Sequence, residues 1–218
     1  MEIDARGFLF DMDGTTVNSN PVVEATWARF AQPRGIDLQE LLKFSHGRLA
    51  ISTLERFMPG STVEERRSVE KQLLEWETSK NDGVTEIPGA KKLFEALTRL
   101  DAPKALVTSA VIPLAKKRFE VVGIDYPEVA ITAELVGKGK PDPEGYLLAA
   151  KRLGLDARDC VVFEDAGPGA AAGLAAGAKV IVVGSDASET TRKLPRVANL
   201  EHVTVTTSPE PGWFRLHV

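Results

Sequence analysis

The chain has 218 residues, 43% of them hydrophobic, which is enough for a large buried core in one domain or in one domain that carries an insert. Its net charge of -4 offers no basic surface for nucleic acid, and no apolar run approaches the roughly eighteen residues of a membrane span. The amino terminus, Met1-Glu2-Ile3-Asp4, lacks the basic start and apolar stretch of a secretion signal. Cys160 lies in an apolar run and is expected to be a buried, unreactive thiol. We therefore expect a cytoplasmic protein that binds neither nucleic acid nor a membrane.

The first motif is a short apolar run, residues 7–10, that ends in Asp11 and Asp13 and is followed by Gly14. Apolar residues without alternation predict a strand that is buried on both faces of a parallel sheet. Ligands of such sheets bind at the carboxyl ends of the strands, so two acids at this edge are placed for chemistry. The simpler alternative is an acidic turn that follows a core strand.

Residues 16–86 predict an insert of about four helices and no strand, because their apolar residues recur at helical spacing. Helices are expected over residues 21–31, from residue 38 with Asp37 as its cap, and from residue 61 or 62 to about 78. A crossover to the next strand needs one helix, which residues 89–100 supply. The earlier helices are therefore interpreted as an inserted unit.

A polar loop in this insert, His46-Gly47-Arg48, separates two predicted helices. One interpretation is a solvated turn. The other is that His46 or Arg48 faces the active site and contacts substrate hydroxyls or a second anionic group.

The α/β pattern resumes with a helix over residues 90–100 and a strand over residues 104–107, which ends in Thr108 and Ser109. One of these two hydroxyls is expected to cap the next helix. A helix amino terminus with a hydroxyl and free amide groups is also an anion site, so Thr108 and Ser109 are candidate anion ligands.

A third strand over residues 129–132 precedes two candidate active-site lysines, Lys138 and Lys140, just before Pro-Asp-Pro-Glu. Lys138 lies in a glycine-flanked stretch and is expected to be exposed. A fixed cation at Lys140 would offset the repulsion between the Asp11 carboxylate and a phosphate dianion.

The fourth strand, residues 160–163, ends in Glu164 and Asp165, which repeats the pattern of the first strand. These acids could cap the alanine-rich helix that follows. They could also hold Mg²⁺, which prefers one or two carboxylates with water and phosphate. The predicted ligands are Asp11, Asp165 and the backbone carbonyl of Asp13, with Glu164 as a less direct ligand.

A fifth strand over residues 179–183 completes an α/β fold, a Rossmann-like doubly wound parallel sheet of order 3-2-1-4-5 with an inserted all-α cap domain. Near the carboxyl terminus, residues 203–206 alternate like a half-exposed strand, and residues 213–216 are expected to return as a hairpin.

The four motifs, centred on Asp11-Met12-Asp13-Gly14-Thr15, Thr108, Lys140 and Glu164-Asp165, resemble in order the four signatures of the haloacid dehalogenase superfamily. The resemblance implies that Asp11 is a nucleophile and that Asp13 is a general acid and base. It also implies that Thr108 and Lys140 bind the phosphoryl group, and that Mg²⁺ is the cofactor. It implies a core domain of residues 1–15 and 87–218 and a helical cap domain of residues 16–86.

The pattern is similar to that of phosphatases acting on hexose, hexitol and glycerol phosphates, and the His-Gly-Arg loop resembles a cap loop of these enzymes. The implied partner is a small phosphorylated sugar or polyol, and we expect a monomer. The alternative is a sugar phosphomutase of the β-phosphoglucomutase type, and a non-catalytic binding protein on the same fold is a further one. A dehalogenase is disfavoured because it would not need Asp13.

Overall fold

A parallel sheet with alternating helices forms the core of the protein. The computed structural model describes residues 1–79 and 82–218. The strands are β1 (Glu2–Ala5), β2 (Gly7–Phe10), β3 (Val17–Asn18), β4 (Thr85–Glu86), β5 (Lys104–Val107), β6 (Val129–Ile131), β7 (Cys160–Glu164), β8 (Lys179–Val183), β9 (Arg196–Val197), β10 (Thr204–Thr207) and β11 (Phe214–His217). The helices are α1 (Asn20–Ala31), α2 (Leu38–Ser45), α3 (Ala50–Phe57), α4 (Val63–Ser79), α5 (Ala90–Arg99), α6 (Ile112–Val122), α7 (Glu144–Arg152) and α8 (Gly167–Ala175).

The main sheet has the order β6-β5-β2-β7-β8-β9, and all of its neighbouring strands are parallel. In chain order this is 3-2-1-4-5, as predicted, with the two-residue strand β9 added at one edge. The sequence therefore predicted the fold class correctly. Strand β9 was missed because two residues carry no periodicity.

Strand β2 lies at the centre of this sheet, and every one of its residues is buried. The Phe10 ring stacks on the ring of Phe163 of β7, and the two ring centroids are 4.8 Å apart. The ring of Phe94 of α5 is tilted against the Phe10 ring, with 4.7 Å between the centroids. Burying a side chain of this size stabilises the fold by about 1.5 to 3 kcal/mol. This packing fixes the position of the carboxyl end of β2 against β7 and α5, and the acidic motif begins there.

Helices α1 to α4 form the insert and have their own apolar cluster, which includes Trp27, Phe30 and Leu54. The predicted capping residues are observed. Asp37 accepts a hydrogen bond from the Glu40 amide, and Thr62 and Glu65 form a reciprocal capping box at the start of α4. The exact division into core residues 1–15 and 87–218 and cap residues 16–86 stays a prediction.

The prediction of no strand within residues 16–86 was wrong. Strands β3 and β4 form an antiparallel pair in which Val17 faces Glu86 and Asn18 faces Thr85. They form because the chain leaves the core and returns to it at adjacent points, so two short segments lie side by side. Two residues in each strand are too few for a detectable sequence pattern.

The predicted carboxyl-terminal hairpin is observed as β10 and β11. The sequence missed its partner β1, which pairs with β11 and makes a separate three-stranded sheet from both ends of the chain. Cys160 is buried as predicted, and burial raises the pKa of its thiol to about 12. In the parts of the chain that the structure describes, no helix is both long enough and apolar enough to cross a membrane.

Candidate active site

The carboxyl ends of the three central strands bring the predicted core residues together. Asp11 follows β2, Thr108 follows β5, and Glu164 and Asp165 end and follow β7. Gly14 allows the chain to turn away from β2 at a φ of 84°, and a side chain there would overlap the Asp165 carboxylate. The close approach of Gly14 and Asp165 is thus possible only for glycine.

Lys140 reaches this edge from the loop before α7 and is almost fully buried. Its Nζ lies 2.5 Å from Asp11 Oδ1 and 2.6 Å from Glu164 Oε1, and it donates a 3.1 Å hydrogen bond to the Val107 carbonyl oxygen. The side chain of Lys138, by contrast, is 77% exposed. Of the two candidate lysines, Lys140 is therefore the one that lies beside Asp11.

The three carboxylates of Asp11, Glu164 and Asp165 each have an oxygen within 4.8 Å of the others. Burial, and then the charge of Glu164, raises the pKa of Asp11 to about 7, while burial and Asp11 raise the pKa of Asp165 well above its usual value. Three carboxylates beside one ammonium group carry a formal charge of about -2 when ionised, which a divalent cation would balance.

The residues present therefore fit a bound divalent cation. The donors are all hard carboxylate oxygens, which Mg²⁺ prefers. Glu164 adds a second observation, because its Oε2 is buried without a hydrogen-bond partner while its Oε1 accepts a 2.5 Å hydrogen bond from the Tyr146 hydroxyl. Glu164 is thus held by Tyr146 and Lys140 and has one oxygen free for a ligand.

Asp13 lies beside this cluster, and its carboxylate is held by two side chains. Ser19 Oγ donates to its Oδ1 at 2.5 Å, and Arg118 Nη1 lies 2.6 Å from both of its carboxylate oxygens. The predicted contribution of Asp13 to the metal site, through its backbone carbonyl, stays a prediction.

Sequence reasoning missed Ser19 and Arg118. The helical spacing of α6 could have identified Arg118 as buried. It lies on the same helix face as Leu114, Ala115 and Phe119, all of which are buried. A charged residue within an apolar helix face must be paired. No comparable pattern singles out Ser19.

The loop of His46, Gly47 and Arg48 faces the core across a cavity of about 230 Å³. The Gly47 carbonyl oxygen accepts a 3.2 Å hydrogen bond from Ser109 Oγ, which joins the loop to the carboxyl edge of the sheet. Arg48 is half-buried, and its guanidinium lies 4.7 Å from the centre of the Phe44 ring. Burial, and then the charge of Arg56, lowers its pKa. The interpretation that this loop faces the site fits the structure better than a fully solvated turn.

Neither Thr108 nor Ser109 caps the next helix, so that prediction was wrong. Helix α6 begins at Ile112 without a side-chain cap, and the Ile112 amide donates to Glu134 Oε1 instead. Thr108 Oγ1 accepts a hydrogen bond from the Ala110 amide within the intervening turn. A capping residue directly precedes the first helical residue, and in α6 that position is Val111. Thr108 and Ser109 lie before this position, and three residues separate Thr108 from the start of the helix.

The structure thus brings the predicted site residues together at the sheet edge, where seven of them line the cavity and Lys140, Glu164 and Asp165 lie next to Asp11. The predicted residues are Asp11, Asp13, His46, Gly47, Arg48, Thr108, Ser109, Lys140, Glu164 and Asp165. The arrangement offers the Asp11 carboxylate beside the Lys140 ammonium group and a second carboxylate, Asp13, two residues further along the turn that follows β2. It also offers hydrogen-bond donors for an anion. Such a set can carry out nucleophilic and general acid–base catalysis on an anionic substrate.

Comparison with known proteins agrees with this arrangement. Residues 5–177 match the model of the haloacid dehalogenase-like hydrolase family. The chain is 42% identical over 208 residues to hexitol phosphatase A of Escherichia coli (strain K12), covering 94% of this chain and 95% of that protein. It is 37% identical over 190 residues to glycerol-1-phosphate phosphohydrolase 2 of Saccharomyces cerevisiae, covering 83% and 75%.

The fold is also similar to a crystal structure of β-phosphoglucomutase from Clostridium difficile, with a TM-score of 0.80, 23% identity and coverage of 90% of this chain and 92% of that one. At this identity the likeness supports the fold alone. The family match spans most of the chain and includes the strand ends that carry Asp11, Thr108 and Asp165 and the loop that carries Lys140. The chain therefore belongs to the haloacid dehalogenase-like hydrolase family and is an enzyme of the hydrolase class.

Proposed function

We propose that this protein is a Mg²⁺-dependent phosphoric monoester hydrolase that acts on small phosphorylated sugars or polyols through an aspartyl-phosphate intermediate. The observation that carries the proposal is the position of Asp11, which is paired with the buried Lys140 and opens onto the same cavity as Thr108 and Arg48. The similarity to a hexitol phosphatase and to a glycerol-phosphate phosphohydrolase supports the substrate class. The monomeric state and cytoplasmic location stay predictions from the sequence.

The reaction has two steps. In the first, a carboxylate oxygen of Asp11 attacks phosphorus and the bond from phosphorus to the sugar oxygen breaks, while Asp13 gives its proton to the leaving oxygen. In the second, Asp13 takes a proton from water, whose oxygen attacks phosphorus and releases Asp11 and inorganic phosphate. Lys140 and Thr108 hold the phosphoryl oxygens. A bound Mg²⁺ would supply charge stabilisation to the same oxygens.

The charges around the cavity favour hydrolysis over the mutase alternative. A mutase must hold a second phosphate in the same cavity, but the lining of that cavity includes the carboxylates of Glu70 and Glu77 of α4. Arg118 is already paired with Asp13 and Glu77, which leaves Arg48 as the main cation for the rest of the substrate. Glu77 is itself neutralised by Arg118, so the lining leaves the Glu70 carboxylate and the Arg48 guanidinium for the rest of the substrate. One carboxylate and one guanidinium suit neutral hydroxyl groups, which can donate hydrogen bonds to a carboxylate, better than a second phosphate dianion.

A panel of phosphorylated substrates tests the proposed function. Phosphate release would be measured with Mg²⁺ on hexitol, hexose and glycerol phosphates, nucleotides and sugar bisphosphates. We expect steady release from hexitol, hexose or glycerol monophosphates without any bisphosphate activator, and weaker activity on bisphosphates. Product isomerisation that requires a bisphosphate, with little phosphate release, would refute hydrolysis in favour of a mutase.

Arg48→Ala is expected to lower kcat/KM for the best sugar or polyol phosphate by about 1 to 3 kcal/mol, or roughly 5- to 150-fold. The reason is that the core residues recognise only the phosphoryl group, so the rest of the substrate must be bound by residues of the insert. The same substitution should affect p-nitrophenyl phosphate much less, because that substrate has no hydroxyl groups. Parallel kinetics on the two substrates measure this difference.

Arg56→Ala is the matched control for this prediction. The Arg56 guanidinium lies 4.6 Å from the centre of the same Phe44 ring, but its side chain is about half exposed and pairs with Glu40 on the surface. We expect it to leave both substrates nearly unchanged. An equal loss on both substrates in Arg48→Ala would instead assign Arg48 to phosphate binding or to the stability of the insert.

A further inference from the structure

A buried arginine links the core of the active site to the inserted helices. Arg118 lies on core helix α6, and only 4% of its side chain is exposed. Its Nη1 contacts both carboxylate oxygens of Asp13 at 2.6 Å, and its Nη2 lies 2.7 Å from Glu77 Oε2 on α4. One guanidinium therefore joins the proposed general acid to a residue of the insert.

The contact with Asp13 restricts the position of its carboxylate. Both of its oxygens lie 2.6 Å from the same guanidinium nitrogen, and Ser19 Oγ also donates a hydrogen bond to Oδ1. A general acid must lie within hydrogen-bond reach of the leaving oxygen, and small displacements are costly in rate. Arginine suits this task because its planar group stays charged and has a rigid set of donors.

The contact with Glu77 orients Arg118 in turn. Glu77 is half-buried within the cavity lining, and burial raises the pKa of its carboxyl while the Arg118 charge opposes that change. A buried arginine needs partners for its donors, and Glu77 accepts from the guanidinium nitrogen that Asp13 does not use. This ion pair forms only when the end of α4 lies against α6.

We propose that Arg118 is the positioning residue of Asp13, and that Glu77 holds Arg118 in place only while the helical insert covers the site. Proton transfer to the leaving group thus depends on closure of the insert over the substrate. The inference rests on the proposed function, because it needs Asp13 to be the general acid.

The test compares two leaving groups in Arg118→Met. The parameter kcat/KM reports the steps up to the departure of the leaving group, and p-nitrophenolate departs without a proton whereas a polyol oxygen needs one. We expect kcat/KM to fall at least ~10²-fold for a hexitol phosphate and less than ~10-fold for p-nitrophenyl phosphate. Equal losses on both substrates would mean that Arg118 has only a structural role and would overturn the inference.

Two further variants keep the test decisive. Arg118→Lys retains the charge but loses the fork of donors, so it should show the same preference with a smaller loss even if Arg118→Met is unstable. Lys117→Met is the control on the same helix, since Lys117 pairs with Glu120 at the surface, and it should change neither substrate.

Glu77→Gln tests the coupling to the insert. We expect the same selective loss on the hexitol phosphate, smaller than in Arg118→Met, because the neutral amide still accepts a hydrogen bond but no longer balances the guanidinium charge. Glu75→Gln on the exposed face of α4 is its control. No selective loss in Glu77→Gln would overturn the dependence on closure.

Asp13→Asn separates failure of this inference from failure of the proposed function. If Asp13→Asn is selective for the hexitol phosphate and Arg118→Met is not, then Asp13 is the general acid and the inference alone is overturned. If Asp13→Asn itself shows no leaving-group dependence, then Asp13 is not the general acid, and both the proposed mechanism and the inference are overturned.

Discussion

Asp11→Asn is expected to reduce the turnover of sugar or polyol phosphates at least ~10²-fold while the fold stays intact. The amide has nearly the shape of the carboxylate but is a poor nucleophile, so the first covalent step cannot occur. Steady-state phosphate release from freshly purified protein measures the effect. Residual activity above about 1% of wild type, with contaminating phosphatases excluded, would contradict the role of Asp11 as the nucleophile.

The thermal stability of the same variant gives an independent measurement. Removing one charge from the buried cluster of Asp11, Glu164 and Asp165 reduces the repulsion among carboxylates, and Lys140 keeps Glu164 as a partner at 2.6 Å. We therefore expect the Tm of Asp11→Asn in metal-free buffer to equal or exceed that of the wild type. The matched control is Asp125→Asn, at an exposed surface position outside the insert, which should change neither activity nor Tm.

Removal of divalent metal with EDTA is expected to abolish activity, and Mg²⁺ should restore it. Mg²⁺ fits the carboxylate donors, whereas Ca²⁺ prefers more ligands and a looser geometry and should inhibit. Because the cation would bind only the folded protein, Mg²⁺ at a hundredfold excess over Kd should stabilise it by about 2.7 kcal/mol, a rise in Tm of roughly 5 to 10 °C.

Asp165→Asn separates the metal site from the nucleophile. Asp165 lies in the carboxylate cluster, whereas the ion pair with Lys140 is made by Asp11. Because Asp165→Asn removes a proposed metal ligand and leaves the nucleophile in place, the variant should lose the Mg²⁺-dependent rise in Tm together with most of its activity. Full activity of the wild type in metal-free buffer would refute a metal-assisted reaction. A normal Mg²⁺ response in Asp165→Asn would move the metal site elsewhere.

The sequence predicted the core of the site because each of its parts has a local signal. Asp11 directly follows one uninterrupted apolar run, and the pair Glu164-Asp165 follows another; such a run in a parallel sheet places the residues at its carboxyl end at the ligand-binding edge. The start of α4 was predictable for a similar reason, since Thr62 and Glu65 form a capping box within four residues.

Contacts between distant parts of the chain were not predictable in this way. Arg118 and Asp13 are 105 residues apart, and nothing in the sequence around either residue identifies the other. The pairing of β1 with β11 joins the two ends of the chain for the same reason. The choice of Lys140 over Lys138, by contrast, was made from the sequence motif, and the structure agrees with it because Lys140 lies beside Asp11 while Lys138 is exposed.

The most direct test of the central claim is detection of the phosphoryl group on Asp11. Wild-type protein would be mixed with Mg²⁺ and excess hexitol phosphate, quenched in acid within the first turnovers, and digested for mass spectrometry. We predict that the peptide containing Asp11 gains the mass of one phosphoryl group, and that this gain is absent in Asp11→Asn. Release of phosphate by the wild type with no such gain at Asp11 would contradict the aspartyl-phosphate mechanism.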